Sequence, residues 1–207
     1  MAPLELTLIV AATRNMGIGF QGSMPWKGLR KEMQYFARVT TRIPPQAPAG
    51  SINAVIMGRK TWDSIPPKFR PLKDRLNIVI SRSSPPPPPP TQPVPPNEPI
   101  RVSSVEQALE YAQGHPSVSR VIIMGGGQIY GAALQHPAAK RVLLTNIMRD
   151  FECDVFFPLD LTGGKAEGWA RRSTEELKTW TGEGPEVEGI QEEAGTQYEW
   201  QMWEKTD

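Results

Sequence analysis

The residues best equipped for chemistry lie in one early run, GIGFQGSMPWKGLRKEMQYF, from Gly17 to Phe36. A glycine-rich turn leads through Met24-Pro25-Trp26 into a helix expected over Leu29–Thr40. On that helix Leu29, Met33, Phe36 and Thr40 recur at helical spacing and define an apolar face. Glu32 stands beside this face, next to Met33 and one helical turn from Phe36. A carboxylate against apolar groups is costly unless a cation or hydrogen-bond donors meet it. A ligand with a matching pair of N–H groups would meet it. A solvated helix-edge glutamate near Lys27 and Lys31 is the competing reading, and this window leaves both open.

Further along, glycines and cations collect at the ends of apolar runs. Gly125-Gly126-Gly127 lies between an expected strand, Arg120–Met124, and an expected helix, Gln128–Leu134. Glycines let backbone approach a ligand closely, and the N–H groups that open a helix favour an anion. Gly58-Arg59-Lys60-Thr61-Trp62 repeats the design after the strand Ala54–Met57. Cations at a helix start oppose its dipole, and an anion would resolve the conflict. Ser81-Arg82 follows the strand Leu76–Ile80 in the same way. Together these ends suggest one phosphate-bearing ligand across the carboxyl edge of an α/β sheet. Gly17–Gly22 spells G-x-G-x-x-G, but no helix follows it, so it reads as a mobile hinged loop over a site. Pro66–Arg75, with Lys68, Arg70, Lys73 and Arg75, reads on its own as a solvated loop.

The remaining elements must position these groups. Leu4–Ala12 is a near-continuous apolar run, as in a buried strand, and Arg141–Ile147 is another strand. Arg59–Ser64 is a short helix. Val105, Ala108, Leu109 and Ala112 mark a helix capped by Ser103 or Ser104, and Ser103 with Glu106 matches a capping box. Trp169–Glu176 and Gln197–Glu204 alternate and are expected to pair as antiparallel strands. The order predicts an α/β fold: a mostly parallel mixed sheet, an antiparallel C-terminal edge, and helices on both faces.

At 207 residues the chain is expected to form a single domain, 1–207, with loop insertions near 43–51, 83–99 and 181–195. The middle one holds six consecutive prolines, Pro85–Pro90, which cannot donate to a ladder and favour extended polyproline geometry. It reads as a stiff surface loop, with a ligand for a proline-recognising domain as the alternative. Basic and acidic residues number 23 and 22, and no cationic run dominates, so nucleic acid and membrane surfaces are not expected partners. Cys153 is the single cysteine, which excludes an internal disulfide and suits a reducing compartment. His115 and His136 each precede proline in turns, and no metal site is expected. No signal peptide or membrane span is read, and a cytoplasmic protein is expected.

In combination these segments resemble dihydrofolate reductases of the eukaryotic type. The matching pieces are Val10-Ala11-Ala12, MGIG, GSMPW, LRKEMQYF, AVIMGRKTWDSIP with RPLKDR, VISR, IIMGGGQIY, LLTNI and DFECDVFFP, in that order. The resemblance implies an eight-stranded sheet flanked by helices. It also implies NADPH-dependent reduction of 7,8-dihydrofolate to 5,6,7,8-tetrahydrofolate, supplying one-carbon metabolism. A nicotinamide hydride would pass to pterin C6, with protonation at N5. Glu32 would accept a bidentate pair from the pterin, and Thr145 would hydrogen-bond that carboxylate. Met24 and Trp26 would bound the pocket and its water. Val10, Ala11, Met33, Phe36, Ile65 and Leu72 would supply apolar contact, and Arg75 would pair with the glutamate tail. Met124 would offer its carbonyl, with Tyr130 nearby. Ala12, Ile18, Gly58, Arg59, Lys60, Thr61, Ser81, Arg82, Gly125, Gly126, Gly127, Gln128 and Ile129 would hold NADPH, with Gly125-Gly126 as a cis bond. Antifolates would bind, and a monomer is implied.

Two departures stand out. Ser103 stands where a third basic residue often approaches the cofactor's 2′-phosphate, and the insertions exceed common loop lengths. Two rival readings are a related-fold reductase of a riboflavin-pathway pyrimidine and a non-catalytic nucleotide-binding or proline-ligand scaffold. GSMPW with Glu32 argues against the first. The joint presence of Glu32, Thr145 and Arg75 argues against the second.

Overall fold

A computed structural model describes residues 3–163 and 166–206. The strands are β1 (Leu6–Thr13), β2 (Gly17–Gly19), β3 (Ile52–Gly58), β4 (Arg75–Ile80), β5 (Ile100–Val102), β6 (Val118–Ile123), β7 (Ala139–Ile147), β8 (Val155–Phe156), β9 (Trp169–Arg171), β10 (Ile190–Glu193) and β11 (Thr196–Lys205). The α-helices are α1 (Arg30–Thr41), α2 (Arg59–Ser64), α3 (Val105–Gly114), α4 (Gly127–Leu134) and α5 (Thr174–Thr181). Eight strands follow the order β10-β11-β7-β1-β6-β3-β4-β5, and β9 pairs β11 off that path. This is the expected mixed α/β sheet with a short ninth strand.

The chain forms two compact units. One comprises Met1–Thr7 with Thr40–Ala139. Here β3 pairs in parallel with β4 and β6, and β4 with β5. Val55, Ile56, Ile78, Val79 and Ile122 are fully buried, because a strand covered on both faces needs apolar residues at successive positions. The register aligns Gly58 with Ile80 and Ile56 with Ile123. Parallel pairing therefore brings the next residues, Arg59, Ser81 and Met124-Gly125, to the same strand ends.

The other unit comprises Leu8–Val39 with Lys140–Asp207. It is antiparallel where β11 pairs with β7, β9 and β10. Trp200 stands opposite Thr145 in the β11–β7 register. Its helix α1 buries Tyr35 and Val39, while Met33 is 64% exposed. The apolar stripe read through Leu29, Met33, Phe36 and Thr40 is thus covered only in part: Leu29 and Thr40 are buried, Phe36 is half-buried, and Met33 points outward.

Three local expectations need correction. The alternation of Trp169–Glu176 gives a strand only to Arg171; α5 then begins under a capping box in which Ser173 and Glu176 bond each other's backbone N–H. For α3 the cap is Ser104, which accepts from Gln107 N at 3.0 Å, while the Gln107 side chain turns to Ser103; no Ser103–Glu106 box forms. The 181–195 stretch is not merely a surface excursion. Glu183 has a fully buried carboxylate that accepts from Arg38 Nη2 at 2.6 Å, and Val187 is buried.

The Gly17–Gly22 run forms a ribbon: β2 pairs β8, and Phe20 bridges Ser23. Gly17 is required by crowding, since a Cβ there would overlap the Cys153 thiol. Among the described residues no helix is long and apolar enough to cross a membrane, and no His, Cys, Asp and Glu grouping could hold a metal ion.

Candidate active site

Glu32 lies in the first turn of α1, where the helix dipole favours a carboxylate. Thr145 and Trp200 are direct cross-strand partners, and such partners project to the same face of a sheet. Both reach the same atom. The Thr145 hydroxyl donates to Glu32 Oε1 at 2.6 Å, and the Trp200 indole N–H donates to it at 3.1 Å. Burial pushes the Glu32 carboxyl above its ordinary value; the two donors pull it down, and the charge of Glu193 pushes it up again. Tyr35 stacks on Trp200 at 4.7 Å, and Tyr198 meets it edge-on at 5.4 Å. The Tyr198 hydroxyl donates to Glu193 Oε1 at 2.6 Å.

Glu32 lines a pocket of about 230 Å³ with Met24, Trp26, Lys27, Gly28, Leu29 and Met33. Trp26 is buried, edge-on to Phe151, whereas Met24 and Met33 are exposed. Met33 therefore faces the pocket rather than the core. Val10 and Ala12 are buried on β1, Ala11 is half-buried there, and Ile18 is half-buried on β2. Thus the second unit by itself unites Glu32, Thr145, Trp26, Met24 and Met33.

The first unit carries the other expected residues. Ile65 and Leu72 are half-buried, and Asn77 clamps Leu72 by accepting from its N–H and donating to its carbonyl. Arg75 is partly engaged: Nη1 donates to Thr40 Oγ1 at 2.9 Å and Nε to the Lys73 carbonyl at 2.8 Å. Burial lowers its pKa from the ordinary arginine value. Met124 donates its N–H to Ile56 O, and Tyr130 is buried.

At the carboxyl ends of β3 and β6, Gly58 N donates to Gly125 O at 2.9 Å. A Cβ on Gly58 would stand 3.1 Å from Ile129 Cγ1, and one on Gly126 would stand 3.4 Å from Thr61 Oγ1. Gly125 adopts φ +124°, open to glycine, and the Gly125–Gly126 bond is cis. Gly126 precedes α4 with no side-chain cap, which leaves the N–H groups of Gly127 and Gln128 at an open helix start. Arg59, Lys60, Gln128 and Arg82 are exposed, and Thr61 and Ser81 are half-buried. Arg59 has an acidic neighbour, Asp63, at 3.4 Å one turn along α2.

The dihydrofolate reductase family profile matches residues 5–179. The chain belongs to the dihydrofolate reductase family. It is 39% identical over 206 residues to dihydrofolate reductase of Pneumocystis carinii, covering 96% of each chain. It is 41% identical over 206 residues to that of Mus musculus, covering 98% of each. In structure it resembles dihydrofolate reductase of Schistosoma mansoni, with TM-score 0.73 and 30% identity over 99% of this chain and 100% of that one.

Trp200 was not expected at this family's carboxylate. Its sequence signal is slight: Tyr198, Trp200 and Met202 alternate as inward positions of one strand and are all buried. Nothing local in the sequence points an indole N–H at a residue 168 positions away.

Proposed function

We propose that residues 1–207 act as one catalytic domain that reduces 7,8-dihydrofolate to 5,6,7,8-tetrahydrofolate with NADPH. The observation that carries this is the half-buried Glu32 carboxylate, anchored at one oxygen and lining a pocket. A pterin presents an exocyclic amine beside a ring N–H, a fork that matches a carboxylate. Glu32 Oε2 takes one prong, and the other joins Thr145 and Trp200 at Oε1. This fixes the ring in the pocket bounded by Met24 and Trp26, with Val10, Ala11, Met33, Phe36, Ile65 and Leu72 as apolar contacts. Glu32 also promotes protonation at N5 through a water that Trp26 helps hold. Arg75 directs its remaining N–H groups to the acidic tail of the substrate.

The residues present suit a dinucleotide. At Gly58 and Gly126 an added Cβ would meet Ile129 and Thr61, so glycine there lets the end of β3 and the starts of α2 and α4 pack closely. Arg59, Lys60 and Arg82 hold the 2′-phosphate, Thr61 and Ser81 add hydroxyls, and Gly125–Ile129 border the pyrophosphate at the start of α4. Ser103 adds little, because its hydroxyl already donates to Gln107. NADPH, when bound, supplies the hydride that ends on C6. A monomer in the cytoplasm fits this reading, with antifolates as competitors at Glu32.

The experiment is absorbance-monitored NADPH oxidation with dihydrofolate, with a riboflavin-pathway pyrimidine, and with no substrate. Turnover confined to dihydrofolate is expected. Turnover confined to the pyrimidine, or no turnover by a folded chain, would overturn the proposal.

A further inference from the structure

Trp200 lies beyond residue 179, where the match to the family profile ends. It is 5% exposed and shares one acceptor atom, Glu32 Oε1, with Thr145. A carboxylate held by one donor can still turn about its last side-chain bond. Donors from two paired strands on the same oxygen fix its plane and leave Oε2 for a ligand. The indole is itself held. Tyr35 lies against its face at 24°, and Tyr198 meets it at 74°. Tyr198 is tied by its hydroxyl to Glu193, which also accepts from Lys31 N at 2.8 Å. Phenylalanine at 200 would keep an aromatic ring in that stack and carry no N–H.

The groups that bear on Glu32 come from every element around it. Thr145 on β7 and Trp200 on β11 donate to it, and Glu193 on β10 opposes its charge. Burial pushes the phenols of Tyr35 on α1 and Tyr198 on β11 up, and the Glu32 charge adds to both, so they stay neutral. Among the described residues no cation contributes to its shift. The two donors therefore carry the stabilisation of the ionised form.

We propose that Trp200 is a positioning residue of the reductase: its indole N–H, with the Thr145 hydroxyl, sets the plane of the Glu32 carboxylate that receives the substrate. This rests on Glu32 being the substrate-holding carboxylate.

The test compares the parent with Trp200→Phe and Glu32→Gln. The pKa that Glu32 sets in the kcat/KM profile is the one absent from Glu32→Gln. In Trp200→Phe that pKa rises by about one unit, as expected for loss of one charge-assisted hydrogen bond. The KM for dihydrofolate rises more than kcat falls, and the deficit narrows as pH increases. In the intact parent, the Trp200 indole N–H resonance titrates with the same pKa and stops doing so in Glu32→Gln. An unmoved pKa in folded Trp200→Phe, or an indole resonance flat through the Glu32 titration, overturns the proposal. If Trp200→Phe does not fold, the indole titration decides it. Near-normal turnover by Glu32→Gln sinks the assignment of Glu32 instead, and the indole titration tells that failure from the first.

Discussion

The Glu32 site and the glycine ends of β3 and β6 hold their polar groups in different ways. At Glu32 a side chain is half-buried and its charge is met by side-chain donors from β7 and β11. At Gly58 and Gly125–Gly127 side chains are missing, and backbone with nearby exposed cations does the presenting. A side-chain site depends on one atom's ionisation, so one substitution can abolish it. A backbone site spreads its contacts over many N–H groups and is damaged chiefly by added bulk. The two should therefore fail differently.

The largest effect is expected at Glu32. Glu32→Gln keeps the shape and the acceptor for Thr145 and Trp200 while removing the charge. We expect kcat/KM to fall by roughly two to four orders of magnitude, the usual worth of positioned acid–base help. Stability should move the other way. Burial raises the Glu32 pKa above its ordinary 4.5 in the folded state. A carboxyl raised on folding binds its proton more tightly when folded, so it costs stability as pH climbs from 4.5 through the folded pKa. Glu32→Gln should unfold at a higher temperature than the parent at neutral pH, with the gain vanishing below about pH 4. Lower stability across that whole range would mean that Glu32 is a structural residue.

The next effect lies with the cations. Removing either arginine, as Arg59→Ala or Arg82→Ala, should weaken NADPH by roughly ten- to a hundredfold and leave NADH nearly unchanged, since hydrogen bonds to charged groups contribute about 1.5–3 kcal/mol. Arg82 should carry more of it, because Arg59 has Asp63 to offset its charge. An unaltered NADPH/NADH ratio in the double variant would put the phosphate elsewhere.

Added bulk gives a smaller and more diagnostic loss. A methyl at Gly126 would reach Thr61 Oγ1 at 3.4 Å, ordinary contact, so the fold should accept Gly126→Ala. The methyl would still press on the Thr61 hydroxyl, one of the proposed cofactor contacts. We expect NADPH affinity to drop by about tenfold, roughly 1.4 kcal/mol, with catalysis at saturating cofactor little changed. Titration of cofactor fluorescence would measure it, and an unchanged Kd would argue against a backbone cradle.

The two sites were not equally legible in the sequence. The glycine ends show in the chain because they are local: apolar strand, glycine, then a helix start, within a few residues at Gly58 and at Gly125. Glu32 could be suspected from its apolar neighbours, but its donors could not, because β7 and β11 bring Thr145 and Trp200 from far along the chain. The same limit applies to the elements. The S-x-x-E spacing at Ser103 forms no box, because the cap is one residue later, whereas the same spacing at Ser173 opens α5. Local patterns fix that a cap exists nearby; packing decides which serine takes it. Glu183 falls in the expected loop insertion near 181–195, and no local pattern shows its partner, Arg38, 145 positions distant.

The smallest effect on activity belongs to a region that takes part in neither site, the proline segment between β4 and β5. Its Ser84, Pro87, Pro88 and Pro90 are half-buried, so the run is partly covered. Pro90 rests on Gly114 at the end of α3, where a Cβ would stand 2.9 Å from Pro90 Cγ. Replacing Ser84–Pro96 by a few Gly and Ser residues should leave kcat/KM within about twofold, because loop-closure entropy changes slowly with length. The packing itself can be read by a double-mutant cycle. Glycine in a helix is about 0.5–1 kcal/mol less stable than alanine, so Gly114→Ala should stabilise the loop-replaced chain by about that much. In the parent the new methyl meets the Pro90 ring, and overpacking should cancel or reverse the gain. A difference of about 1 kcal/mol or more between the two backgrounds is expected from thermal unfolding, with turnover alike in all four chains. Equal stabilisation in both would mean that the segment does not rest on α3. A drop in turnover on loop replacement, with the fold kept, would draw the proline run into the cofactor region and end its use as the neutral reference for the two sites.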